Sequence, residues 1–398
     1  MSRALTGYRP LLRTPGAAAF FLTAAVGRIG IAMTGLGLVW LLHARTGSYA
    51  TAGLATAGFA LAEALAGPQL ARLIDRFGQT HTLPVFLVVH GAAIVAVLTS
   101  NTSTTAIVAA TCAGAAVPQL GALSSARWAH LLRAERADEL PSAFSLESLA
   151  NATAFLVGPV LATALGATGN TALATAIAAT LILGGGTALA TQRRTAPPPA
   201  RVDRTPGERS SLLRPTFLIL LAQNLAIGLY FGTIGVAVTA FAISNGVPGA
   251  AAWIIAACSL SGLLSGWLYG RRKRVMPPRR QLVAVTAYLA GTALLLPLAP
   301  SALWLAAAVV ITELAIPPTL VLLNVLTEKA VSPGALTQAF TWNNSASAAG
   351  SALAASLAGR AADTWGPSAA FTPAPLAGIA LLGLALVLYR ISANRSCL

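Results

Sequence analysis

Gly67-Pro-Gln-Leu-Ala-Arg72-Leu-Ile-Asp75-Arg76-Phe-Gly78-Gln-Thr80 joins two apolar runs, 49–71 and 83–100. Three charges, Arg72, Asp75 and Arg76, crowd into this short stretch, while the runs beside it hold few. An apolar segment of about 20 residues crosses a bilayer as a helix. The stretch therefore predicts a tight charged turn between two membrane helices. The same alternation continues in both directions. Twelve spans are expected, at 17–42, 49–71, 83–100, 105–126, 143–166, 171–190, 216–243, 250–270, 281–299, 302–326, 337–359 and 368–390.

Composition agrees. Of 398 residues, 56% are hydrophobic and 9% charged, against roughly 25% charged in soluble proteins. Such a chain takes lipid as its main solvent. The net charge of +15 does not point to nucleic acid, because the basic residues form no single face and sit between the apolar runs. With the N-terminus inside, the inner segments hold 23 Lys and Arg and the outer loops hold Arg45 and Arg360 alone. That asymmetry is the membrane's preference for cations on the cytoplasmic side. It predicts a multi-pass protein with both termini cytoplasmic. Abundant Ala, with Arg as the dominant base, suggests a bacterial inner membrane. The first span is too long for the apolar core of a signal peptide. Cys112 and Cys258 lie in apolar runs and Cys397 at the C-terminal end, so no disulfide framework is expected.

The outer loops are short, as at Asn101–Thr104 and Pro300–Ser301. The one long loop, 191–215, is rich in Arg, Pro and Ser and reads as a flexible cytoplasmic linker. It separates two similar halves, 1–190 and 216–398. Leu12-Arg13 and Gly27 match Leu213-Arg214 and Gly228 at an offset of 201. Gly67, Arg72 and Pro118 match Gly266, Arg271 and Pro317 at 199. Leu140, Ala143, Phe144 and Ser145 match Leu336, Ala339, Phe340 and Thr341 at 196. Six helices per half give both halves one orientation, and so a pseudo-two-fold axis along the membrane normal.

The turn after the second span resembles the loop signature of the major facilitator superfamily, Gly-x-x-x-Asp-Arg-x-Gly followed by two basic residues. Asp75, Arg76 and Gly78 fit it; Ala71 and Gln79-Thr80 depart from it. Gly158-Pro159 in span 5 resembles part of the Gly-Pro motif of the family's drug/proton antiporters, although Ala154, Ala162 and Thr163 replace its flanking glycines. The mid-helix Arg typical of those exporters in span 4 is absent, and only Arg127 stands at that span's inner end. The resemblance covers essentially the whole chain and implies an all-α membrane protein of twelve helices in two parallel six-helix halves. It also implies a gating set of Gly67, Asp75, Arg76 and Gly78, with Asp75 near the N-terminus of span 11, where free amides and the helix dipole attract a carboxylate. Otherwise Asp75 and Arg76 only orient the chain and solvate a turn.

Charges inside a bilayer are costly, and four ionisable groups stand there: Arg28, Glu63, His90 and Glu313. Arg28 and Glu63 lie at similar depths and could meet. They either tie spans 1 and 2 together or face substrate and protons. Glu63 shares a small, polar stripe with Thr56, Ala60 and Gly67. Glu313 precedes Pro317-Pro318, and a proline deprives the carbonyl four residues back of its amide, so the helix should break there. Pro118 does the same in span 4. Pro118, Gly158, Pro159, Pro317 and Pro318 are the expected helix breaks. His90 is a proton relay or a single structural hydrogen bond. Gln223, Asn224, Asn343 and Asn344 line a cavity or join helices.

No metal cluster, nucleotide loop or nucleophile constellation is expected, and no cofactor. Gly184-Gly185-Gly186 lies within a span and lacks the Lys of a phosphate loop. An ion gradient is then the energy source. The leading expectation is a proton-coupled exporter of a small organic molecule, a drug or secondary metabolite, working as a monomer. The alternatives are metabolite uptake, a non-transporting sensor or scaffold, and a lipid-modifying membrane enzyme. A carboxyl group in a low-dielectric interior can exchange its proton as hydration changes. This makes Glu313 or Glu63 the expected proton carrier.

Overall fold

The computed structural model describes residues 8–133, 136–199, 210–247, 249–272 and 276–395. Arg201, Arg204 and Arg209 of the linker, Lys273, Arg274 and Cys397 lie outside these residues. A short helix, α1 (Tyr8–Leu12), precedes the twelve spans. Span 1 is α2 (Ala17–Thr46), span 2 α3 (Tyr49–Phe77) and span 3 α4 (Gln79–Thr99). Span 4 is two helices, α5 (Ser103–Ala115) and α6 (Leu120–Leu131). Spans 5 and 6 are α7 (Leu140–Gly166) and α8 (Thr171–Thr191). In the second half, α9 (Pro215–Ser244), α10 (Ala250–Arg271) and α11 (Pro278–Ala293) are spans 7–9. Span 10 is again divided, into α12 (Ala302–Glu313) and α13 (Ile316–Ala330), and α14 (Leu336–Trp365) and α15 (Pro373–Arg395) complete the set.

Among the described residues, ten spans are long and apolar enough to cross a membrane by length and hydropathy alone. The other two have physical reasons to differ. The helix α11 ends early in turns, and α14 is rich in Ser, Thr and Asn because it packs on protein. A Cβ at Gly228 or Gly232 of α9 would land on the backbone of Ser347 or Ser351 of α14. Helices in lipid gain little from apolar burial and associate through such close backbone approach. In the first half Gly158 of α7 meets Ala32 of α2 in the same way.

The main packing relations of the first half have counterparts in the second. The helix α2 packs on α7 and α8, as α9 does on α14 and α15; α3 packs on α5, as α10 does on α12. Between the halves, α3 lies against α14 and α10 against α7. The two rings of Phe144 and its repeat mate Phe340 stack edge to face, centroids 5.7 Å apart. Residues related by a two-fold axis touch only beside it, so the axis passes between these rings.

Contacts between the halves concentrate at the end carrying α1 and the arginine-rich turns, termed the basic face. One buried apolar cluster there includes Phe20, Trp128 and Phe144 together with Phe217, Leu326 and Phe340. The other three clusters each belong to one half. The halves thus share a core at the basic face and keep separate cores towards the opposite face.

The linker begins differently from expectation. Thr195 is buried, accepts from Arg127 Nη1 at 2.8 Å, and abuts the turn at Gly16. Pro199 lies against Gly78. Its first residues are therefore docked on the first half and are not a free tether.

Backbone contact at α9–α14 makes a direct expectation. Gly228→Ala should destabilise the protein by roughly 1–3 kcal/mol through overpacking. Gly235→Ala on the same helix, where a Cβ meets open space, should gain about 0.5–1 kcal/mol of helix propensity. Thermal unfolding in detergent reads both, and equal shifts would contradict the packing.

Candidate functional site

The site is built around the two broken spans. Pro118 leaves α5 and α6 separated at 116–119, and Pro317-Pro318 open span 10 at 314–315 while occupying the first turn of α13, where no amide is needed. Carbonyls freed at a break have no water to turn to in lipid, and neighbouring side chains take them up. His90 Nδ1 lies 2.8 Å from Ala113 O. Ser265 donates to Leu314 O at 2.6 Å, Ser261 to Val310 O at 2.9 Å and Tyr288 to Ile311 O at 3.0 Å. His90 is fully buried in this structural task. Pro159 breaks nothing: α7 is continuous from Leu140 to Gly166. Gly158 serves instead as the contact with α2, so the pair Gly158-Pro159 is no helix break.

Glu63 is half-buried on α3 and accepts from Gln119 Nε2 at 3.4 Å, Gln119 being part of the span 4 break. One turn nearer the basic face is Gly67, where a Cβ would stand 3.2 Å from Thr341 Cγ2 of α14. The repeat-related contact is Ser145 of α7 with Gly266 of α10, Oγ to O at 2.5 Å. The sequence matches Gly67 with Gly266 and Ser145 with Thr341, and these four residues are the crossing points of the two seams. Glu63, and Asn344 with Ser345 on the antiparallel α14, stand one turn above the first seam, on the side away from the basic face.

Glu313, 8% exposed, ends α12. Tyr230 of α9 and Cys258 of α10 stand beside its carboxyl. Its Oε1 would lie 3.0 Å from a Cβ at Gly262. Gly262 is the repeat mate of Glu63, at the offset of 199. Both halves therefore put a carboxyl at one equivalent place, from α3 in the first and from α12 in the second. Among the described residues neither carboxyl has a cation within ion-pair distance.

The expected meeting of Arg28 with Glu63 does not occur. Arg28 pairs with Glu147 of α7, both buried. Glu147 Oε1 also accepts from Ser124 Oγ at 2.6 Å and Trp128 Nε1 at 2.8 Å. Equal depth fixes height in the bilayer but not which way a side chain faces. Glu147, seven residues into its helix, is the partner that depth alone leaves out.

Gln223, Asn224 and Asn343 are buried in the packing. Asn224 Nδ2 bonds Leu220 O of its own helix at 2.9 Å, Asn343 Nδ2 bonds Thr327 Oγ1 at 2.9 Å, and Gln223 is wholly buried. Asn344 is the exposed member of the four.

At the basic face Asp75 Oδ2 accepts from Gln338 N, in the first turn of α14, at 2.9 Å. Gly78 has φ +89° and its amide closes α3 on Ile74 O. Only glycine adopts that conformation readily. Arg76 points outward, over the ring of Phe77 at 5.0 Å. Gln79 explains its departure from the loop signature. Its Oε1 accepts from Arg127 Nε at 2.8 Å, and Arg127 is buried with Leu189 O, Gln192 O and Thr195 Oγ1 as further acceptors. A basic residue at 79 would confront that guanidinium. The second seam is reinforced by Tyr8 of α1, which donates to Trp267 O at 2.9 Å, and by Ser142, which donates to Gly270 O at 2.6 Å.

Glu147→Gln should cost about 3–5 kcal/mol, since it strands the buried Arg28 charge. Arg28→Met/Glu147→Gln, which removes the charge and keeps an acceptor for Ser124 and Trp128, should recover much of that loss. Unfolding of the two variants in detergent is the measurement, and equal stability would count against a structural ion pair.

Among the described residues no group of His, Cys, Asp and Glu converges as a metal site. The sequence profile of the Major Facilitator Superfamily matches residues 20–355. No curated protein sequence matches significantly. Among solved structures, the fold is similar to a bacterial homologue of the iron transporter ferroportin in an outward-facing state, with TM-score 0.76 and 12% identity over 94% of this chain and 99% of that one. FucP, the E. coli fucose:proton symporter, in its outward conformation, gives 0.71 and 13% over 94% and 99%. The human organic anion transporter MFSD10 gives 0.66 and 15% over 96% and 100%. These likenesses show the fold, and the family is one of transporters and not of enzymes. The twelve-helix chain with its paired seams and broken fourth and tenth spans belongs to the major facilitator superfamily.

Proposed function

We propose that this protein exports a small organic molecule, of drug or secondary-metabolite type, in exchange for protons by alternating access. It does so as a monomer in a bacterial inner membrane, with both termini in the cytoplasm. The observation that carries the reading is the shared core at the basic face beneath two carboxyls at equivalent places. The concentration of cations supports a cytoplasmic assignment for that face. Halves joined there and separate beyond it correspond to an outward-facing form. A single chain contains both halves and hence a whole pathway. Gly158-Pro159 favours export.

Glu313 is the proton carrier and Glu63 the substrate-facing carboxyl. Glu313 stands at the hinge of span 10, so movement of α12 against α13 changes the hydration of its carboxyl. Glu63 is partly open and beside Gln119, above the first seam, with Asn344 across from it. Asp75 holds the cytoplasmic seam closed through the amide of Gln338, and Gly67 and Gly78 give it the close approach and the turn it needs. Arg76 supports the orientation of the turn.

Asp75→Asn should weaken the attraction to the α14 N-terminus by about 0.3–2 kcal/mol, tilting a balanced equilibrium several-fold towards the inward-facing form. Labelling of Thr341→Cys by an impermeant maleimide from the cytoplasmic side should then rise. Unchanged labelling would reduce Asp75 to a turn residue.

The function itself is tested with inside-out vesicles and a panel of labelled compounds, with and without an imposed pH gradient. Accumulation driven by the gradient is expected. Glu313→Gln should lose the response to the gradient and keep gradient-independent exchange. Normal pH dependence in Glu313→Gln together with its loss in Glu63→Gln would reverse the two roles. Normal coupling in both would remove proton exchange through either group, and movement in the opposite sense would identify uptake.

A further inference from the structure

The two seams at the basic face use repeat-related positions but are fastened differently. At the first, Asp75 of α3 accepts from the amide of Gln338 in α14. At the offset of 199 Asp75 corresponds to Arg274, and a guanidinium offers an amide no acceptor. At the offset of 196 Gln338 corresponds to Ser142 of α7. There the side chain is the donor, to Gly270 O at 2.6 Å. The second seam is thus fastened by hydroxyl protons given to the last turns of α10, where helix carbonyls run out of amides.

Tyr8 of α1 provides one of these protons. Its Oη stands 2.9 Å from Trp267 O, 3.3 Å from Gly266 O and 3.1 Å from Ser145 Oγ. Ser145 gives its own proton to Gly266 O at 2.5 Å, so the single proton of Tyr8 goes to Trp267 O. Gly270 leaves the space for this arrangement, because a Cβ there would collide with Tyr8 Oη and with Ser145. At the offset of 201 Tyr8 corresponds to Arg209. The repeat therefore has no second copy of this phenol.

The helix α1 is carried by the first half. It packs on α2 and α7. Thr14, just after it, accepts from Arg136 Nη1 at 2.9 Å, and Gly16 abuts Thr195. Tyr8 reaches from this base to α10 of the second half. Its bond crosses between the two bodies that must part when the basic face opens. The bond is made in the closed form and lost in the open one, and such a differential contact is what shifts a two-state equilibrium.

We infer that Tyr8 is a gating residue, a latch by which α1 holds the second seam closed. It acts through α10 and is a positioning residue, distinct from the groups that meet substrate or protons. The inference rests on the alternating-access reading above and adds to it a fastening independent of Asp75.

Hydrogen–deuterium exchange of the full-length protein in neutral detergent tests this. Tyr8→Phe keeps the ring and loses the proton. The form open at the basic face should gain about two- to tenfold in population, the net worth of one hydrogen bond. Amides in the last turn of α10 and the first turn of α14 should exchange faster, and those at the outer ends of α2 and α9 slower. That reciprocal change separates a latch from a merely structural tie, which would loosen α10 without protecting the outer ends. Arg9→Gln, an exposed neighbour on α1, should exchange as the wild type does. Asp75→Asn is the benchmark. A reciprocal change in Asp75→Asn but not in Tyr8→Phe would overturn the latch and leave alternating access standing. Loosening of α10 alone in Tyr8→Phe, or the same change in Arg9→Gln, would also overturn it. No reciprocal change in either Tyr8→Phe or Asp75→Asn would remove both the latch and the assignment of the closed face.

Discussion

A carbonyl without an amide cannot be left alone in hydrocarbon, and two prolines create that situation in this protein. Pro118 and Pro317 interrupt spans 4 and 10 at equivalent positions. Much of the polar chemistry of the interior follows from the repair. Ser261, Ser265 and Tyr288 exist in their helices to hold the exposed carbonyls of span 10, and His90 holds one in span 4. Gln119 is released by the break to meet Glu63. A hinge in lipid is thus a collective property of its neighbours, and its carboxyl occupants sit where backbone order has already been given up.

The second organising feature is duplication. Weak matches at drifting offsets are enough to align the halves, because a duplicated membrane bundle keeps the residues at its own symmetric contacts. Gly67 with Gly266 needs a missing side chain, Ser145 with Thr341 needs a small polar one, and Phe144 and Phe340 meet on the axis. These are the pairs visible in the sequence. The spans, the two breaks and the place of Asp75 were legible for similar reasons: hydropathy, a missing amide and a short motif are all local signals.

What was not legible is direction around a helix axis. Depth counts pair Arg28 with Glu63, but Arg28 faces α7 and Glu147. Adjacent amides part in the same way, Asn343 to Thr327 and Asn344 to open space. In an amphipathic soluble helix the apolar stripe would supply that direction. In a bilayer both lipid-facing and protein-facing sides are apolar, so the stripe carries little information. The docked start of the linker escaped for another reason: Thr195 and Pro199 are ordered by Arg127 and Gly78, which are distant in sequence.

The carboxyl of each half reaches one equivalent place by a different route, from α3 in the first and from α12 over Gly262 in the second. Halves related by an axis along the membrane normal keep the same depth for equivalent places, so the exchange leaves two carboxyls at one depth in unlike surroundings. Here one carboxyl is partly open beside an amide, and the other is walled in by a phenol and a thiol. The duplicated frame keeps the place, and the exchanged position of a single acid makes its two copies chemically unlike.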